Sequence, residues 1–189
     1  MGKILENLNV VLIIGFVAAV GLMMGFHAET LTTVVLVTWL HVFFGILWIG
    51  LLYYFNFVQI PTMPNIPAEL KPAIGKYIAP NALFYFRWAA LLTVLTGLIV
   101  AYLYGYEREA LTFQAGYQLI GIGMWLALIM AFNVWFIIWP NQKRALGIVE
   151  ADDASKAKSG RVAMLASRTN VLLSIPMLYA MSAQQPLGG

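Results

Sequence analysis

His41 is the residue whose type and position point most clearly to chemistry. It lies about ten positions into an apolar stretch, residues 31–58, which puts it roughly 15 Å along a helix and near the middle of a membrane. Gly45 and Trp48 follow at i+4 and i+7 and share its helix face. The glycine admits a flat ligand or another backbone, and the tryptophan supplies an aromatic wall. An ionisable side chain at that depth is costly and predicts a functional site.

Three roles for His41 are open. It is an axial ligand of haem b, a proton- or substrate-handling group, or a neutral histidine hydrogen-bonded to a neighbouring helix. A low-spin haem b usually takes two imidazoles, but the other histidine, His27, lies at the end of the first apolar stretch and at a different depth. We expect His27 to be an interfacial residue. The alternatives are one of nine methionines as second ligand, or five-coordinate iron. His41 is the predicted metal ligand.

A second group of polar residues gathers at one end of the apolar stretches. Arginine at a membrane boundary needs a partner, and all eight carboxylates lie outside these stretches. The group predicts a site for a haem propionate, a lipid phosphate or an anionic substrate, held by Arg87, Arg168 and Asn170. The structural alternative is arginines reaching to lipid headgroups and amides bonding between helices. The whole group consists of Asn56, Gln59, Arg87, Trp88, Asn133, Arg168 and Asn170.

Several kinds of chemistry are excluded by residue type. The chain has no cysteine, so disulfides, iron–sulfur clusters, zinc-thiolate sites and covalently attached haem are ruled out. No Ser–His–Asp set, phosphate-binding loop, HExxH run or acidic metal cluster is present, and catalytic residues are therefore unassigned. The formal charge of +3 comes without exposed aromatics between the basic residues, so no nucleic-acid partner is expected.

Composition defines the elements that must position these residues. Of the 189 residues, 61% are apolar and 10% are charged, against roughly 25% charged in soluble domains. Five stretches are long enough to cross a bilayer as helices. We predict one all-α transmembrane domain over residues 1–189, with helices at about 8–26, 31–58, 82–105, 117–139 and 162–182. The first is predicted to be a retained helix rather than a cleaved signal peptide, and the proline-rich segment 61–80 to be irregular.

The distribution of lysine and arginine predicts orientation. Ten of the eleven basic residues lie on one side of the predicted helices, and Arg108 lies on the other. The N-terminus is therefore predicted to be cytoplasmic and the C-terminus extracytoplasmic, in a bacterial inner membrane.

Four segments together resemble the membrane domain of the bacterial membrane-bound urate oxidase (urate hydroxylase) family, whose full-length members carry a C-terminal cytochrome c domain. The segments are Trp39-Leu40-His41 with Gly45 and Trp48-Ile49-Gly50; Phe86-Arg87-Trp88 with Thr96-Gly97; Asn133-Val134-Trp135 with Trp139-Pro140-Asn141-Gln142-Lys143; and Arg168-Thr169-Asn170 with Ser174-Ile175-Pro176 and Met181-Ser182.

The resemblance implies an oxidoreductase-related, redox-linked membrane protein in which His41 matches the histidine of the family's second helix. Two departures are visible: the 189 residues contain no cytochrome c segment, and Thr169-Asn170 stands where full-length members tend to have a His-Asn pair. The chain is expected to be a short, standalone relative of the family.

Three functions follow as hypotheses. The first is a haem b-binding subunit that passes electrons to a separate cytochrome or oxidase. The second is a non-catalytic accessory subunit of a larger respiratory or photosynthetic membrane complex. The third is a small channel or carrier that uses the Arg–Asn group. Expected partners are the lipid bilayer and other membrane-protein subunits.

Overall fold

The computed structural model describes the backbone of residues 2–27 and 33–187 and the side chains of residues 4–26 and 33–183. All regular structure in these ranges is helical, and they contain no strand. Five helices within the described residues are long and apolar enough to cross a membrane. The prediction of an all-α chain with five membrane-spanning helices is confirmed at this level, while the side of the membrane that each end faces stays a prediction.

Seven helices form the framework, and we number them in chain order. A single turn, Gly2–Leu5, precedes them. The helices are α1 (Leu8–His27), α2 (Thr33–Tyr53), α3 (Ala79–Leu103), α4 (Glu107–Leu111), α5 (Gln118–Phe132), α6 (Trp139–Ala145) and α7 (Asp153–Leu187).

Three π-helical turns extend the long helices. One (Tyr54–Gln59) carries α2 on to Ile60–Thr62, one (Ile74–Ile78) leads into α3, and one (Asn133–Ile138) joins α5 to α6. A π turn inserts a residue into the helical ladder and often lies at a functional site. The spans formed in this way are longer than the apolar pattern predicts.

The proline-rich segment 61–80 is more helical than expected. The second span continues through a 3₁₀ turn, Met63–Asn65, and helical structure resumes at Lys71–Ala73. Pro61, Pro64 and Pro72 stand in the first turn of short helical elements, where the fixed φ of proline is compatible with a helix. The prediction of an irregular segment is therefore wrong for most of its length.

Helix ends follow from local chemistry. Gly105 and Gly147 adopt φ of 73° and 71° just after α3 and α6, the left-handed conformation that glycine favours at a helix C-terminus. The carboxylate of Asp152 accepts a hydrogen bond from the Ser155 amide at 2.8 Å and caps α7. For that reason α7 begins at Asp153 rather than near Val162, where its apolar pattern begins.

The packing leaves α1 at the periphery. Helix α2 packs along α3, and α7 packs along α5 and α6. The apolar window of α1 is 0% buried, although Phe16 contacts Trp39 and Phe43 edge to face at 5.2 Å. The main core lies between α2, α3, α5 and α7; its largest fully buried side chains are Trp48, Leu52, Phe86, Met130, Val134, Asn170 and Ser174.

Candidate functional site

His41 joins α2 to α3. Its Nδ1 lies 2.9 Å from the backbone carbonyl oxygen of Thr93, and 3.4 Å from the Thr96 hydroxyl oxygen. Because a carbonyl can only accept, Nδ1–H donates to Thr93, and in the neutral ring Nε2 carries the lone pair. No hydrogen bond to Nε2 is present in the described part of the chain.

Gly97 makes this arrangement possible. A Cβ added at Gly97 would lie 2.7 Å from the Cε1 atom and 3.0 Å from the Nδ1 atom of His41. Any side chain at this position would therefore displace the imidazole. Thr93 and Gly97 are small residues four positions apart, a spacing in the sequence that favours close contact between membrane helices, and α2 packs against both of them. What the sequence did not reveal is that His41 is the group that fills the space above Gly97.

Gly45 and Trp48 share a helix with His41 but have different surroundings. A Cβ on Gly45 would meet the Thr93 Cγ2 atom at 3.8 Å, which is an ordinary contact. Trp48 is 0% exposed, and its indole Nε1 is buried without a hydrogen-bond partner among the described residues. Gly45 therefore belongs to the α2–α3 contact, whereas Trp48 is part of the main core.

The half-buried Asn133, in the π turn after α5, and the buried Asn170, on α7, form an amide pair. The Asn133 amide donates to the Asn170 Oδ1 at 2.9 Å, and the Asn170 amide donates to the Met130 carbonyl at 2.9 Å. Asn170 is 0% exposed. Both the Oδ1 and the Nδ2 atoms of Asn170 are hydrogen-bonded within the bundle, so these contacts favour a structural role for Asn170.

Arg87 and Arg168, the two arginines predicted to hold an anionic group, have different surroundings. The Arg87 guanidinium lies over the Trp139 ring, 3.7 Å from its centroid, and the Trp135 indole donates to the Arg87 carbonyl at 3.1 Å. This stacking is a cation–π interaction. Arg168 is exposed on α7, and no ion pair to it occurs in the part of the chain that the structure describes.

A second set of polar contacts joins α2 and the π turn after it to α7. Its two serines, Ser167 and Ser174, were not predicted as site residues from the sequence. The Tyr53 hydroxyl lies 3.0 Å from the Ser174 hydroxyl, and the Asn56 amide donates to the Ser167 hydroxyl at 2.8 Å. The two serines lie seven residues apart on one face of α7. That spacing between small polar residues was the signal available in the sequence.

His41 fits the role of an axial ligand to haem b, but the described residues around it do not form a pocket for the porphyrin. A ligating histidine commonly donates its other ring N–H to a backbone carbonyl, as His41 does to Thr93. His41 is the one histidine whose side chain the structure describes, so the position of the His27 imidazole relative to it is not defined. Groups of three or more metal-binding side chains are absent from the described residues. A cavity of about 90 Å³ lies elsewhere in the bundle and is not lined by His41, so a porphyrin on His41 needs a wall beyond that cavity.

The fold and these buried polar contacts define the class of the protein: a polytopic α-helical membrane protein, by the length and composition of its helices. Residues 98–186 match the family model described as urate oxidase N-terminal. The predicted relationship to the urate oxidase family is confirmed over this segment, which is a little under half of the chain. Comparisons with curated proteins and with solved structures find no match.

The matched segment runs from the end of α3 through α7. It contains Asn133, Arg168 and Asn170 but not His41 or Arg87. The family relationship therefore covers the amide pair, and a role for His41 has to be argued from its own geometry.

Proposed function

We propose that this chain is a redox-associated subunit of a bacterial inner membrane, related to urate oxidase, in which His41 is the single protein ligand of haem b. The observation that carries the proposal is the 2.9 Å contact between Nδ1 and the Thr93 carbonyl. This bond fixes the ring and its tautomer and leaves the Nε2 lone pair available to a metal. Haem bound here would supply one-electron transfer to a separate cytochrome or oxidase.

The surrounding residues would act on the ligand in defined ways. The Thr93 carbonyl accepts a hydrogen bond from the Nδ1–H group and orients the imidazole for a metal at Nε2. Gly97 leaves the space that the ring occupies. Among the predicted anion-binding residues, Arg168 is exposed and is available to a propionate or a lipid phosphate, whereas the amide of Asn170 is already engaged. Urate as a substrate rests on the family relationship alone.

Haem content of matched histidine variants tests the proposal. The protein and its His41→Ala and His27→Ala variants would be purified in detergent from haem-replete cells, and haem per chain measured after extraction. We expect His41→Ala to lose haem and His27→Ala to keep it, with all three eluting as the same species by size exclusion. Equal haem in His41→Ala and the unaltered protein would contradict the assignment. Loss in both variants would contradict a single histidine ligand.

A second function, a non-catalytic accessory subunit of a larger membrane complex, is favoured by α1. Its apolar window is 0% buried within the chain, and an apolar helix that its own chain leaves uncovered apart from the Phe16 ring contacts faces lipid or another subunit. This function predicts a colourless protein that co-purifies with other membrane chains and loses thermal stability when separated from them. Stable isolation as a single chain would contradict it.

A further inference from the structure

A cavity of about 90 Å³ lies where the end of the π turn Tyr54–Gln59 meets α3, α6 and α7. Phe55 and Phe86 form one wall, and their rings meet edge to face with centroids 5.5 Å apart. Its lining contains no charged side chain among the described residues. These features match a neutral ligand with a flat apolar part. The polar side chains that line the cavity are Gln59, Gln142 and Ser167.

Two polar groups in this cavity have hydrogen-bonding capacity that the described residues do not use. The Gln59 Oε1 atom is buried and has no hydrogen-bond donor among the described residues, a state that costs about 1–3 kcal/mol. The Ser167 hydroxyl oxygen accepts from Asn56, and its own proton goes to no acceptor in the described ranges. The cavity therefore offers one acceptor and one donor that the protein does not use.

An aromatic hydroxyl satisfies both groups at once. A phenolic O–H donates to Gln59 and accepts from Ser167, and its ring packs against aromatic walls. A quinone carbonyl could only accept and would leave Gln59 unpaired. We propose that this cavity binds the hydroxyl-bearing head ring of a membrane quinol.

The position of the cavity along the helices suits such a ligand. Gln142 is followed by Lys143, and Gly160 by Arg161; basic residues of this kind mark the boundary between hydrocarbon and headgroups. A quinol whose tail lies in the hydrocarbon can place its ring at this level. Urate fits poorly, because it is an anion at neutral pH and no cation lines the cavity.

The quinol site is separate from His41. Gln59 lies eighteen residues beyond His41 on the same helical span, roughly 27 Å at 1.5 Å per residue. Ring binding therefore does not depend on haem binding, and a His41→Ala variant is expected to keep it.

Calorimetric titration of the detergent-solubilised chain with decyl-benzoquinol, under argon, tests the proposal. The test variant is Gln59→Leu, which removes the unpaired acceptor without leaving a buried donor and should therefore fold. Gln114→Leu is the matched control, because Gln114 is exposed in the loop after α4. We expect saturable binding to the unaltered chain and to the control, and about tenfold weaker binding to Gln59→Leu.

Two further titrations complete the test. The oxidised decyl-benzoquinone is expected to bind more weakly than the quinol, and urate is expected not to compete with it. Three results would overturn the proposal: no saturable quinol binding to a folded chain, which would mean that the cavity holds only water; equal binding to Gln59→Leu and the control; or displacement of the quinol by urate.

Discussion

At the scale of single residues, the contact between His41 and Gly97 makes two distant positions depend on each other. A methyl group at Gly97 would overlap the imidazole, and overpacking of this kind typically costs about 1–3 kcal/mol. We expect Gly97→Ala to lower the thermal unfolding temperature in detergent and to reduce any haem bound at His41.

Gly50 provides the matched control for that substitution. It lies on α2, and a Cβ there meets nothing within 4 Å. Gly50→Ala should leave stability unchanged or raise it by about 0.5–1 kcal/mol, since alanine is the better helix former. If the two alanine variants unfold at the same temperature, the close packing of His41 on Gly97 is wrong.

The energy of the hydrogen bond between Asn133 and Asn170 can be measured apart from the effect of removing each side chain. Asn170→Ala removes the partner of the half-buried Asn133 amide and the side-chain donor to the buried Met130 carbonyl, at an expected cost of about 1–3 kcal/mol. In a double-mutant cycle with Asn133→Ala, the coupling should be about 0.6–1.7 kcal/mol, the range for hydrogen bonds between membrane helices. Asn81→Ala is the control because Asn81 is exposed and bonds only within its helix. Additive effects of the two core substitutions would contradict the pair.

At the scale of elements, the cap of α7 gives a pH dependence of known sign. The Ser155 amide, and then its hydroxyl, bond to the Asp152 carboxylate and hold the pKa of that carboxyl below its usual value of 3.8. A depressed native pKa means that the cap contributes fully above the unfolded pKa and is lost as pH falls through the native one.

Acid titration followed by the NMR signal of the Ser155 amide would test this cap. We expect the signal to move with a midpoint below pH 3.8, and to stay constant in Asp152→Asn, whose side chain still accepts the bond but does not titrate. A midpoint at or above the usual carboxyl value would contradict the bond. The effect is local, because Asp152 is exposed.

Some elements of the fold could be predicted from the sequence because they have a clear sequence pattern, and others could not. The five spans follow from apolar length, and the α2–α3 contact follows from the small residues at Thr93 and Gly97. The π turns could not be predicted, because an inserted residue leaves the apolar pattern unchanged. One such turn begins at Asn133, so the register that pairs Asn133 with Asn170 depends on it.

The sequence identified the residue types of the candidate site, but it did not predict which of these residues contact each other. His41 and Asn170 were both predicted to hold a cofactor, and the structure gives them separate partners on different helices. Arg87 was expected either to hold an anionic group or to reach lipid headgroups; its stacking on the Trp139 ring was not predicted. These contacts depend on the rotation of each helix about its axis relative to its neighbours, which a single sequence does not predict.

At the scale of the whole molecule, orientation in the membrane is the prediction with the widest consequence. The chain has no cysteine, so single cysteines report accessibility without background. We expect a membrane-impermeant maleimide to label Gln114→Cys in intact spheroplasts and to label Glu150→Cys only after permeabilisation, because basic residues flank the loop that contains Glu150. The reverse pattern would invert the proposed orientation and would place the quinol cavity at the opposite surface.

The central claim, that this membrane protein binds haem b through His41, is tested most directly by the absorption spectrum of the purified protein, oxidised and then reduced with dithionite. The proposal predicts a Soret band and a sharp α band on reduction, both missing from His41→Ala and both retained by Gly50→Ala. A colourless, monodisperse and cooperatively unfolding protein from haem-replete cells would contradict it, and would leave the accessory-subunit function as the one to pursue.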